Sequence, residues 1–294
     1  MAWISDGRLA AAVSNGGGLG IISAMNADAE YLRGQIALAR SLTDKPFGVN
    51  IMLLSPHVQE VAETVARERV AVVTTGAGNP SKYMQQWLAA GIRVIPVVAS
   101  VAMAKLVTRA GASAVIAEGG ESGGHVGETS TLVLVPQVCD ATSLPVLAAG
   151  GIADGRGVAA ALLLGAQGVQ VGTRFLVAEE CCVHPNYKEK ILKASDIATV
   201  TTGKRLGHPV RSLKTPFSRE YLKAEYGGVS DEALEAMGAG ALRLAAQTGD
   251  PERGCFLAGQ AAGMITREQP AAEIIREMFT QAEQVLRGAG AWVK

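Results

Sequence analysis

A chain of 294 residues with 27 basic and 27 acidic side chains has no net charge at pH 7, and that balance excludes the global field a nucleic-acid or anionic-membrane binder carries. Thirty-five glycines, 4% aromatic residues and 48% apolar residues describe a core of small aliphatic side chains closed by many tight turns, the composition of parallel α/β sheets. No apolar run approaches the ~18 uncharged residues of a membrane helix, and the start lacks a charged-then-apolar leader. A cytoplasmic protein with a small-molecule partner is therefore expected.

The chain opens on a helix predicted over 6–15, with Ser5 or Asp6 as its cap. A strand–loop–helix unit then repeats, with strands predicted at 18–24, 47–53, 70–76, 92–99, 113–119, 145–151 and 168–173. Helices are predicted between them at 28–41, 56–68, 80–90, 100–110, 130–142 and 154–164. Such alternation is the mark of a parallel βα array. A closed (β/α)8 TIM barrel needs one strand more, so the expected fold is that barrel lacking its first strand, with the absent strand placed just before Met1. The barrel occupies 1–175. Residues 176–257, with HPNYKEK, GKRLGHP and LKTPF, break the repeat and read as an inserted, mainly helical lobe over the active site. Residues 258–294 form a C-terminal segment whose amphipathic helix, 271–286, is expected to pack back on the barrel.

Function in a barrel lies at the C-terminal ends of the strands, and three of these ends carry glycine. VIAEGGESGGHVG, from Val115 to Gly127, presents His125 in a glycine-rich loop; LPVLAAGGIADG ends a strand at Gly150 and Gly151; GVQVGTRF ends one at Gly172 and Thr173. Backbone N–H groups freed by glycine, the threonine hydroxyl and a following helix N-terminus make an anion site, read here as a phosphate site. Asn50 in FGVNIML and Gln170 in VQVGT offer amides either to a heterocycle edge or to neighbouring backbone. Glu118 either meets ligand hydroxyls or faces solvent. His57, His184 and His208 each adjoin a proline and read as structural or exposed. Cys139, Cys181, Cys182 and Cys255 lack paired metal spacing, so reduced thiols and no metal site are expected.

Across nearly its whole length the chain resembles the flavin-dependent enoyl-acyl-carrier-protein reductase II family (FabK type), which shares its FMN barrel with nitronate monooxygenases. AAGGIADG and VQVGTRF are common to both branches, whereas PFGVNIMLLSP, TTGAGNPSKY and HPNYKEK look like the reductase. The resemblance implies FMN held by Asn50, Glu118, Gly123, Gly151 and the run Gln170, Val171, Gly172 and Thr173, with His125 facing the reactive ring as the catalytic residue. It implies reduction of 2-enoyl thioesters in fatty-acid synthesis, with NADH or NADPH as reductant and an acyl carrier protein as substrate-bearing partner; a homodimer is the expected assembly. The competing activity is oxidation of alkyl nitronates with oxygen. Between Asn186 and Ala224 nine basic residues (Lys188, Lys190, Lys193, Lys204, Arg205, Arg211, Lys214, Arg219, Lys223) face three acids, which reads either as an ordinary solvated surface or as a docking patch for an acidic carrier.

Overall fold

The computed structural model describes residues 1–24 and 27–292. In chain order the strands are β1 (Gly20–Ser23), β2 (Phe47–Met52), β3 (Val72–Gly76), β4 (Arg93–Val98), β5 (Val115–Glu118), β6 (Gly124–His125), β7 (Val146–Ala149), β8 (Gly168–Gln170), β9 (Thr199–Thr202) and β10 (Val210–Leu213). The helices of the repeat are α1 (Gly7–Asn15), α2 (Ala29–Leu42), α3 (Val58–Arg67), α4 (Ser81–Ala89), α5 (Val101–Arg109), α6 (Thr131–Ala141) and α7 (Gly155–Leu163). Beyond them lie α8 (Pro185–Leu192), α9 (Pro216–Tyr226), α10 (Asp231–Gly238), α11 (Ala241–Thr248) and α12 (Ala271–Gly288). No described helix is long and apolar enough to cross a membrane.

Seven strands form one parallel sheet in the order β1-β2-β3-β4-β5-β7-β8, each joined to the next through a helix. Sequential order and uniform crossovers curl such a sheet into a (β/α) barrel, here with β1 and β8 as its edge strands. The expected architecture is thus present. Val49, Val73, Val94, Val115 and Ala148 contribute no exposed surface, because strands covered by helices on one side and filled on the other read as nearly continuous small aliphatic runs. Local signals set the helix starts. Asp6, not Ser5, caps α1 by accepting from the N–H groups of Arg8 and Leu9 at 3.1 and 3.0 Å, and Asp28 caps α2 from Tyr31 at 2.8 Å.

The lobe departs from its mainly helical expectation. Besides α8 to α11 it holds β9 and β10, which pair antiparallel with each other and extend to β6, giving a second sheet in the order β6-β10-β9. The physical reason is visible in TVTT and VRSL: two short runs, largely β-branched, flank the turn GKRLGH, and a third edge from the histidine loop stabilises a hairpin that would be marginal alone.

α12 lies against both α1 and α7. Its contact with α7 is backbone on backbone: a Cβ added at Gly155 would stand 2.4 Å from the Ala282 nitrogen and the Met278 carbonyl oxygen. The Gln281 side chain also accepts from the Gly155 N–H at 2.8 Å. Gly155→Ala is therefore expected to lower thermal stability by ~1–3 kcal/mol or more through overpacking. Gly34→Ala, in the exposed interior of α2 with open space around the new methyl, is expected to raise it by about 0.5–1 kcal/mol. Differential scanning calorimetry of the two variants checks the opposite signs.

Candidate active site

The C-terminal ends of the strands surround a cavity of about 760 Å³. Asn50, Glu118, Gly123, His125, Gly150, Gly151, Gln170, Val171, Gly172 and Thr173 all line it. Four strands and three loops thus bring the sequence-derived candidates to one space. After β7 the chain turns through Gly150 and Gly151, whose φ angles of +97° and +74° lie in the region that side-chain-bearing residues rarely adopt. The N–H groups of Gly151, Gly172 and Thr173 have no acceptor among the described residues, and unpaired donors converging on one cavity suit an anion. The Thr173 hydroxyl accepts from the Gly259 N–H at 3.0 Å, which leaves its own hydrogen free to donate.

One part of the phosphate reading is corrected. The N-terminus of α7 does not offer free donors, because the Asp154 carboxylate accepts from Arg156 and Gly157 at 2.9 and 3.4 Å and Gln281 takes the Gly155 N–H. A helix start already capped by a carboxylate has no use for a second anion. The donors that remain are the glycine-turn amides themselves.

The polar side chains divide by what is left to them. Asn50 Oδ1 accepts from the Thr74 hydroxyl at 2.9 Å, so its NH₂ is the group available to a ligand, rather than donor and acceptor together. Gln170 lines the cavity with no side-chain partner among the described residues. Burial pushes the Glu118 carboxyl up to about 7, opposed by the Met1 ammonium. His125 stands at the exposed rim in β6. Burial of its ring, and then the neighbouring His208, lower its pKa below the ordinary histidine value, so the imidazole is neutral at pH 7.

The residues that could hold a phosphate, a heterocycle edge and a reacting carbonyl therefore line a single cavity. The family model described as nitronate monooxygenase matches residues 1–68 and 58–281. The chain belongs to the nitronate monooxygenase family. Its relatives are oxidoreductases, and the chain is an enzyme of that class. A solved structure of FabK from Thermotoga maritima superposes with a TM-score of 0.98 at 50% identity, covering 100% of this chain and 94% of that one. An octahydroindene-carboxyl-CoA dehydrogenase of Rhodococcus jostii is 41% identical over 215 residues, 73% of this chain. The match spans 61% of that relative's length. A probable nitronate monooxygenase of Staphylococcus aureus is 31% identical over 98% of this chain and 94% of its own.

Two residues at this family site escape a sequence reading. Glu121, in the loop after β5, accepts from the Thr131 N–H at 2.9 Å and lies 2.8 Å from the Thr131 hydroxyl. That hydroxyl is also 3.0 Å from the Gly150 carbonyl. Arg211, expected in a surface patch, instead turns inward: Nε and Nη2 donate to the Gly120 carbonyl at 3.2 and 3.0 Å, and Nη1 to the Thr199 hydroxyl at 3.3 Å. Other members of the basic patch are similarly committed. Lys188 binds Glu268, Lys193 binds Glu189 and Arg205 binds Asp231. His57 and His184 sit at helix starts, His57 paired with Glu60 and His184 accepting from Asn186, as structural readings require.

Glu118 supplies a pH test. A carboxyl whose folded pKa is raised binds more protons folded than unfolded between its ordinary value of 4.5 and about 7, so stability falls as pH rises through that window and levels off above it. Glu118→Gln is expected to flatten that part of the stability–pH curve while leaving the region above pH 8 parallel to wild type. Urea unfolding at half-unit pH steps measures both curves.

Proposed function

We propose that this chain is an FMN-dependent enoyl-acyl-carrier-protein reductase, taking electrons from NADH or NADPH. The observation that carries the reading is the match to FabK along the full chain at half identity, joined to a cavity whose donors fit a flavin phosphate. The fit rests on the unpaired amides of Gly151, Gly172 and Thr173 and on left-handed turns that keep side chains out of the space. The chemistry FMN supplies when bound is two-electron transfer, from the nicotinamide to the β-carbon of the enoyl thioester. The Rhodococcus relative, a carboxyl-CoA dehydrogenase by name, supports a thioester as the substrate class.

In this reading Gly150, Gly151, Gly172 and Thr173 would hold the phosphate, and the Asn50 NH₂, Gln170, Val171, Glu118 and Gly123 would contact the rest of the cofactor. Met52, Ile95, Met103 and Leu147 in the same cavity give apolar surface to a flat ring and an acyl chain. His125, neutral at the rim, donates its N–H to the thioester carbonyl, where negative charge develops. Lys204, Lys214, Arg219 and Lys223 form no ion pair among the described residues and remain available to an acidic carrier protein.

The second reading, a nitronate monooxygenase, is favoured by the family model and by the staphylococcal relative. The two part on their acceptors. An enoyl reductase oxidises NADH or NADPH anaerobically when crotonyl-CoA is added, with no need of oxygen; a nitronate monooxygenase consumes oxygen with propyl nitronate and ignores the thioester. The expected result is the first, followed at 340 nm by the loss of nicotinamide absorbance on flavin-loaded protein. His125→Ala is expected to lower kcat for the thioester ~10²- to 10⁴-fold, the usual contribution of a polarising or acid–base group. Flavin content should be unchanged, since the phosphate donors lie on other loops. Gly151→Val, in contrast, is expected to purify colourless.

A further inference from the structure

We propose that His208 is a second imidazole of the active site, relaying protons from solvent to His125 during thioester reduction; the relay rests on the enoyl-reductase reading given above. His208 lies outside the cavity wall on the turn between β9 and β10, 83 residues from His125 in the chain. The register of the small sheet brings the two together. Val210 stands opposite His125 and Arg211 opposite Gly124, and the Val126 N–H donates to the Pro209 carbonyl at 3.0 Å, prolonging the pairing toward His208. Alternate residues of an extended ribbon share a face. His208, two positions before Val210, is thereby a diagonal neighbour of His125, a separation over which large side chains reach each other or share one water. The electrostatic effect of His208 on His125 is what that placement requires.

The turn that carries His208 is held firmly. The Glu225 carboxylate, 1% exposed, accepts from the N–H groups of Gly203 and Arg205 at 3.0 and 2.9 Å. The Arg205 guanidinium returns a bond to the Glu225 carbonyl, and the His208 N–H closes the turn on the Gly203 carbonyl at 3.2 Å. Both imidazoles reach solvent, and His125 also lines the cavity. His208 thus places a second titratable ring on the outer side of His125. Of the other charged groups near this ribbon, Arg211 is held on Gly120 and Thr199, Glu121 on Thr131 and Arg205 on Glu225 and Asp231; Glu118 ends β5, and Lys204 of the same turn forms no ion pair among the described residues.

A second imidazole gives the reaction a proton donor held beside His125, in place of one that water must supply. Hydride addition at the β-carbon leaves an electron pair on the α-carbon and thioester oxygen, and one proton completes the product. A neutral His125 that gave up its N–H alone would be left as imidazolate, a strongly basic species. If a proton passes from protonated His208 to the other ring nitrogen as the His125 N–H bond breaks and the α-carbon C–H bond forms, His125 ends neutral with its tautomer exchanged. His208 also ends neutral and is reprotonated by water. No further oxidant or reductant enters.

The test uses the full-length flavin-loaded protein with NADH or NADPH and crotonyl-CoA. His208→Gln is expected to lower kcat ~10-fold or more, to change the pH profile of kcat, and to leave KM, flavin content and the rate of flavin reduction by nicotinamide as in wild type. Added imidazole is expected to restore turnover to His208→Ala. Independently of turnover, NMR titration of the histidine ring protons is expected to show the His125 midpoint rising in His208→Gln, because the lowering influence of His208 is removed. An active wild type whose His208→Gln variant keeps kcat and pH profile overturns the relay, as does an unmoved His125 midpoint. A wild type inert toward the thioester overturns the activity reading and the relay with it, and the NMR result then shows whether the imidazole pair itself exists.

Discussion

The Glu121 carboxylate sits at the first turn of α6, accepting from the Thr131 N–H and lying within hydrogen-bond distance of its hydroxyl, and the geometry of the cavity wall hangs on that attachment. A carboxylate at a helix N-terminus is favoured by the unpaired amides and by the dipole. The Thr131 hydroxyl reaches on to the Gly150 carbonyl, and the Glu121 backbone carbonyl accepts from the Gln260 N–H at 2.9 Å. Loops after β5 and β7 and a segment from beyond the lobe are thus tied together through Glu121, by side chain and backbone, and its partner Thr131. Gly151, whose added Cβ would lie 3.3 Å from the Glu121 side chain, takes its position from the same anchor.

From that anchor outward the site is shared between barrel and lobe. His125 belongs to a loop of the barrel, yet its backbone pairs with β10 of the lobe, and Arg211 pins the preceding Gly120 carbonyl. Barrel strands position the polar groups of Asn50, Glu118 and Gln170 rigidly, since their backbones are fixed by neighbours on both sides or by the barrel edge. A two-residue strand has no such support of its own. The lobe supplies it, so the orientation of the histidine is a property of the hairpin as much as of the loop that encodes it.

How much of this was legible in the sequence follows the range of the interactions. Alternation of β-branched runs with alanine-rich helices is local and periodic, so seven strands and their helices could be placed from residue patterns. Glycine pairs at strand ends likewise announce themselves, because a left-handed turn needs a particular residue type. The cap at Asp154 is also present in ADGRG, a local signal that disqualifies the helix start as an anion site. TVTT, GKRLGH and VRSL carry only a weak hairpin pattern in a segment dominated by four helices. Arg211 and Glu121 were illegible for a different reason. An arginine in a basic run and a glutamate in a glycine loop look like solvated charges until tertiary structure selects Gly120 and Thr131 as their partners, and nothing within ten residues specifies that choice.

The C-terminal helix touches α1 and α7, the helices that immediately precede the first and last strands of the barrel sheet. During synthesis the strands emerge one after another, but the helix that clasps first to last is made only after the lobe is complete. Until residues 271–288 leave the ribosome, β1 and β8 present open edges and the apolar faces of α1 and α7 lack their cover. Chain order thus makes the barrel's most vulnerable interval the time taken to translate the lobe, and a nascent chain arrested there is the form in which chaperones would meet this protein.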